Sequence, residues 1–180
     1  MKVVGFAGWS GAGKTTLVEG VIAHLARSGL RVAVVKHAHH DFDIDQPGKD
    51  SWRHRQAGAG EVVIASSRRL AKIRDFPGET RPTLHTLIAE LADCDWALVE
   101  GFKRADIPKI EVWRAALGKP VQYPGDRFIV AVATDGAPLL PKPTTLPVLD
   151  LNQPDAVARF LLQSSARYDY FAPEAAVDAR

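Results

Sequence analysis

The stretch GWSGAGKTT, Gly8 to Thr16, decides the fold. It fits the pattern G-x-x-x-x-G-K-[ST], and its setting gives the pattern meaning. The β-rich run KVVGFAG comes before it, and a segment with Leu17, Val18, Val21, Ile22 and Leu25 on one helical face comes after. A glycine-rich turn between a buried strand and a helix N-terminus points successive backbone N–H groups at phosphate oxygens, and the helix adds its partial positive charge. Gly8, Ser10, Gly11, Ala12 and Gly13 are then the cradle of a nucleotide. Lys14 neutralises its β- and γ-phosphates, Thr15 sets a hydroxyl on Mg²⁺, and Thr16 contacts the α-phosphate.

Outward from this loop, Gly29 closes the first helix and LRVAVVK reads as a strand buried on both faces, completing a βαβ unit. A helix through SWRHRQAGA, with Ser51 placed to cap it, leads to the strand EVVIAS. The basic residues Arg68, Arg69, Lys72 and Arg74 follow, and then an amphipathic helix marked by Leu84, Leu87, Ile88 and Leu91. DWALVEGF is a buried strand, PKIEVWR alternates as a half-exposed or edge strand does, FIVAVATDG and LPVLDL are further strands, and Pro154 to Gln163 is a helix. Strands separated by helices predict an α/β, three-layer P-loop NTPase fold, with a mostly parallel sheet flanked by helices. The expected division is one nucleotide-binding domain over residues 1–163 and a loosely attached tail over 164–180, where no apolar period is sustained.

Composition agrees with one globular domain: 180 residues, 46% hydrophobic and 24% charged. A net charge of +2 gives no general attraction to nucleic acid or to an anionic membrane. The single cysteine, Cys94, excludes an intrachain disulfide and fits a reducing compartment. There is no signal-like apolar stretch at the N-terminus and no run near the roughly eighteen apolar residues of a membrane span, so a cytoplasmic location is expected.

A second carboxylate should help hold the magnesium from the end of a neighbouring parallel strand. Glu100 in ALVEG stands there, although a strand-end carboxylate can also be merely solvated. The Gly101 N–H is placed to reach the γ-phosphate. The guanine-reading pattern N-K-x-D is absent. NQPD, Asn152 to Asp155, is a degenerate form that reads better as a helix start, whereas Asp135 in ATDG is placed to accept from guanine N1 and N2.

KHAHHDFDIDQPGKDS, Lys36 to Ser51, follows the second strand and carries His37, His39, His40, Asp41, Asp43, Asp45 and Lys49. Three readings stay open on the residues alone. Histidines with carboxylates ligate Zn²⁺ or Ni²⁺, as a metal-delivery GTPase requires. Mixed lysine, arginine and histidine grip an anionic ligand such as a phosphorylated pterin while an aspartate assists Mg²⁺. Or the histidines simply satisfy the backbone of a long loop.

GWSGAGKTTL, VKHAHHDFDIDQPGKDSWRHRQAGA and LVEGFKRADIPKIEVWR together resemble the molybdopterin-guanine dinucleotide biosynthesis protein B (MobB) family, P-loop GTP-binding proteins. The resemblance runs from the first strand to about Arg114. It implies a weakly hydrolysing GTP-binding adaptor in molybdenum cofactor maturation that acts as a homodimer with the guanylyltransferase joining GMP to molybdopterin. It also implies contact with molybdopterin or its guanine dinucleotide. By it, Gly11, Gly13, Lys14, Thr15 and Thr16 carry over to the phosphates, and the loop from His37 to Asp45 with Glu100 to magnesium and the partner ligand. It favours a phosphate- or pterin-facing loop over a metal cage, since Cys94 lies outside any metal motif.

Phe102 stands where switch-type GTPases place a glutamine after the Glu-Gly pair, so slow turnover is expected, with Lys103, Arg104 or a partner supplying charge. A small-molecule kinase using ATP is the rival, with SSRRLAKIRD as its lid. The homodimer is expected to form through an exposed KIEVWR edge carrying Trp113.

Overall fold

The computed structural model describes residues 1–38, 42–76, 78, 82–136 and 140–173. The chain forms two compact units, one of Met1–His37 with Thr83–Arg180 and one of Ala38–Pro82. In the first, six strands make one parallel sheet: β1 (Lys2–Ala7), β2 (Val32–Lys36), β5 (Trp96–Glu100), β6 (Lys109–Trp113), β7 (Ile129–Thr134) and β8 (Val148–Asp150), in the order β2-β5-β1-β6-β7-β8. The two strands adjoining β1 lie on opposite sides of it, so the end of β1 opens into the crevice where such sheets bind ligands.

Period-two alternation assigns the two faces of β1. Val4 and Phe6 join a core built with α1 (Lys14–Arg27) and α4 (Pro154–Gln163), and Val3 joins another with α3 (Leu84–Ala89). That is the expected three-layer arrangement. α1 and α4 approach closely because residue 20 is glycine: a Cβ there would lie 2.5 Å from the Pro154 ring. Thr83 caps α3, its hydroxyl accepting from the Thr86 N–H.

The second unit holds α2 (Asp50–Gln56) and an antiparallel hairpin of β3 (Glu61–Ala65) and β4 (Leu70–Arg74). EVVIAS therefore does not join the main sheet, and SSRRLAKIRD is a turn and a strand. Ser51 lies inside α2, whose N-cap position is Lys49. Its hydroxyl donates to Asp45 instead of capping the helix.

Three other expectations are corrected. β6 is not an edge; it lies between β1 and β7 with all five residues buried. Its alternation arose because Lys109, Glu111 and Trp113 face loops that satisfy them. The Lys109 ammonium bonds the Lys103 and Ala105 carbonyls and Asp126, and the Glu111 carboxylate accepts from the Gln122 and Tyr123 N–H groups. Burial pushes the Glu111 carboxyl above its usual range, opposed by those N–H groups. β2 and β8 are the true edges, so LRVAVVK is not a strand buried on both faces: Val34, like Val148 of β8, stays exposed.

The tail is tied down through Tyr170. Tyr168 is buried against Trp96, Asp169 pairs with Lys2, the Tyr170 N–H donates to the Met1 carbonyl, and its hydroxyl meets His85 Nδ1. Two aromatic anchors in a short irregular segment leave no period to read. Residues 174–180 lie outside the described residues. No helix among the described residues is long and apolar enough to cross a membrane.

Candidate functional site

The loop from Gly8 to Thr16 turns at the C-terminal end of β1. Gly8 has φ +146°, and a Cβ on it would lie 2.2 Å from the Val112 carbonyl oxygen, so the chain can leave the sheet here only as glycine. Gly11 and Gly13 also have positive φ, and Gly13 is the N-cap of α1. The first N–H groups of α1, from Lys14 onward, have no carbonyl one turn back within the helix and face this end. The Lys14 ammonium folds onto the loop, donating to the Trp9 carbonyl at 2.8 Å.

Thr15 and Glu100, the two residues expected at a magnesium ion, lie in contact. The Thr15 hydroxyl donates to Glu100 Oε1 at 2.6 Å, and Lys36 Nζ lies 3.6 Å from Glu100 Oε2. Parallel register brings this about: Lys36 and Glu100 are partners across β2 and β5, and β5 lies beside β1. Burial lowers the Lys14 pKa from the ordinary lysine value; Glu100 opposes this, while Lys103 and Lys36 add to it. Lys103 extends over the Trp9 ring, 4.2 Å from its centroid.

Gly101 does not offer its N–H to a ligand, because that group donates to the Phe6 carbonyl at 3.2 Å. Its role is clearance: φ is +95°, and a Cβ would lie 2.9 Å from His37 Cβ. Phe102 continues the tight turn with φ +46° and sets its ring 5.0 Å from the His37 imidazole.

Of the histidine loop, His37 leaves β2 with its N–H on the Glu100 carbonyl. His39, His40 and Asp41 lie outside the described residues. Asp45 is engaged within the second unit, accepting from Ser51 Oγ at 2.7 Å and from Arg55 Nη1 at 3.4 Å. Those contacts make it an anchor of its loop and give no support to a role as a metal ligand beside Thr15 and Glu100. Arg55 also holds Asp43 and Asp75, and Lys49 is exposed. Among the described residues, no group of three or more histidines, cysteines or carboxylates is arranged to hold a metal.

Asp135 lies at the end of β7, where its carboxylate accepts from Arg114 Nη1 at 2.9 Å. Arg114 was missed. It follows β6 directly, and its Nε donates to the Ala12 carbonyl of the phosphate loop at 3.1 Å. A cation just past a strand adjoining β1 was the available signal, hidden by reading β6 as an edge. NQPD is a helix start: Pro154 opens α4 after Gln153, and Asp155 accepts from His24 and Arg27 of α1. A surface cleft beside Tyr123, Ile129 and Leu146 sits at the start of β7, at the other rim of the sheet from these groups.

A family model described as molybdopterin guanine dinucleotide synthesis protein B (MobB) matches residues 3–135. The chain is 38% identical over 166 residues to the molybdopterin-guanine dinucleotide biosynthesis adapter protein of Escherichia coli K12, covering 91% of this chain and 93% of that one. To the protein of the same description from Haemophilus influenzae it is 38% identical over 164 residues, covering 89% and 88%. In structure it is similar to the MobB homolog from Bacillus stearothermophilus, with a TM-score of 0.68, 26% identity and coverage of 92% of this chain and 99% of that one. With the family's match spanning the phosphate loop, Glu100, Arg114 and Asp135, this chain belongs to the MobB family.

Proposed function

We propose that the chain is a GTP-binding adapter with slow, Mg²⁺-dependent GTPase activity in molybdopterin guanine dinucleotide biosynthesis. Its partner on this reading is the guanylyltransferase that joins GMP to molybdopterin. The observation that carries the nucleotide reading is the phosphate loop at the end of β1 with Thr15 and Glu100 in contact across it. A hydroxyl and a carboxylate are hard oxygen donors of the kind Mg²⁺ prefers. Thr15 would bind the ion directly and Glu100 through water, and the ion would supply charge to the β- and γ-phosphates. Slow turnover follows from the turn after Glu100, where Phe102 packs on His37 and no glutamine is available to orient water.

The test is displacement of a fluorescent GTP analogue by GTP, ATP and CTP in Mg²⁺, on wild type and Lys14→Ala. Selective displacement by GTP, weakened in Lys14→Ala, supports the reading. Preferential displacement by ATP overturns it and favours a kinase.

The protein acts as a homodimer on this reading, through the hairpin of the second unit. β3 and β4 form a sheet of only two strands, and Val63 and Leu70, 56% and 67% exposed, share one face of it. A lone two-stranded ribbon with apolar side chains exposed gains most by pairing with another copy. Light scattering at micromolar concentration should give the dimer mass, and Leu70→Glu the monomer mass; a monomeric wild type rules the dimer out.

A further inference from the structure

We infer that Arg114 and Asp135 together form the base-reading element of this site, and that the pair selects guanine over adenine. The inference rests on the nucleotide reading above and names the specificity of that same site.

The two residues come from different strands that end on the same rim, β6 and β7, and they are joined by the bond from Arg114 Nη1 to Asp135 Oδ2 at 2.9 Å. The guanidinium is also fixed at its other side, Nε donating to the Ala12 carbonyl at 3.1 Å. Its Nη2 passes so close to Gly13 that a Cβ there would lie 3.2 Å from it. The reader is thus fastened to the loop that would hold the phosphates, which sets the distance from phosphate to base. Both side chains remain about one-third exposed, 33% and 29%, so a ligand edge can reach them.

The chemistry of the pair is directional. It presents a donor, the guanidinium, beside an acceptor, the carboxylate. Guanine presents the matching order on one edge: O6 accepts, and N1–H and N2–H donate. Adenine presents the reverse, with a donor at N6 and a lone pair at N1. Guanine lying edge-on against the pair takes O6 to Arg114 and N1–H and N2–H to Asp135. Adenine in that place sets an amine against the guanidinium and a lone pair against the carboxylate, so both contacts repel. A two-strand arginine–aspartate pair thereby performs the discrimination for which the sequence has no N-K-x-D motif.

The test is a set of competition titrations with GTP, ITP, XTP and ATP, with tripolyphosphate as a base-free probe, on wild type, Arg114→Met, Arg114→Lys and Asp135→Asn. Wild type should prefer GTP over ITP, which lacks the 2-amino group, by about tenfold, and should bind ATP weakest. Asp135→Asn should weaken GTP by about ten- to a hundredfold and improve XTP, whose 2-carbonyl the new amide can serve. Arg114→Met should bring the GTP-to-ATP ratio close to one while tripolyphosphate binding persists, and Arg114→Lys, which keeps a charge and a donor, should fall between. Both substitutions keeping the wild-type ratio would overturn the inference. So would loss of tripolyphosphate binding in Arg114→Met, which would make Arg114 a prop of the phosphate loop. A wild type that does not favour GTP fails the nucleotide reading itself, and that result is visible before any variant is made.

Discussion

Thr15 Oγ1 donates to Glu100 Oε1 across 2.6 Å, joining the first turn of α1 to the last residue of β5. A carboxylate that orients a metal's ligands from one atom away is typically worth ten- to a hundredfold in metal affinity. Glu100→Gln should therefore raise the Mg²⁺ concentration needed for half-maximal GTP binding by about that factor, measured by Mg²⁺ titration at fixed nucleotide. An unchanged midpoint would reduce Glu100 to a partner of Lys36.

Lys14 supplies a pH test. Its pKa in the empty site is lowered, by burial first, and a triphosphate binds the ammonium form and raises that pKa again. Binding is then at full strength below the lowered pKa and is lost as pH rises from there toward the pKa of the occupied site. GTP affinity should begin to fall on the alkaline side before the ordinary lysine value of 10.5 is reached, and Lys14→Ala should show no such decline. Identical pH profiles for the two proteins would remove Lys14 from the phosphates.

Gly20→Ala offers a test in which the sign decides. At an exposed helix position this change stabilises by roughly 1 kcal/mol. Here the new methyl would meet the Pro154 ring at 2.5 Å, and a proline ring cannot swing aside. Urea unfolding should show a net loss of about 1–3 kcal/mol.

Much of this arrangement was legible from residues 1–37, because a glycine-rich turn and a 3.6-residue period each have a single physical reading there. The place of Glu100 beside Thr15 was legible too, because β5 is a continuous apolar run and parallel strands end on one rim. β6 was not legible. Its polar positions look solvated in one dimension and are satisfied in three by loops 103–105 and 122–123, which come from outside the strand. With β6 placed at the edge, the residue after it has no reason to reach the phosphate loop, and the bonds of Arg114 to Ala12 and Asp135 show only in the fold.

Lys109 deserves a variant of its own. Its ammonium spends its three donors on the Lys103 and Ala105 carbonyls and Asp126, at 1% exposure of the side chain. Lys109→Met keeps most of the volume but leaves Asp126 and two carbonyls without their partner. A cost of about 3 kcal/mol is expected in urea unfolding. Hydrogen exchange should quicken first across residues 102–106, and uniform quickening over the whole chain would instead make Lys109 a general core residue.

The bonds between Met1 and Tyr170, and between Lys2 and Asp169, have a practical consequence for any of these measurements. Both pairs sit at the starting rim of the sheet, while the phosphate loop opens at the finishing rim, six residues along β1 and so roughly 20 Å away. A dye, tether or sensor chip attached at either Met1 or Tyr170 sits at the starting rim of the sheet. Nucleotide can then be delivered at the finishing rim without the label in its path.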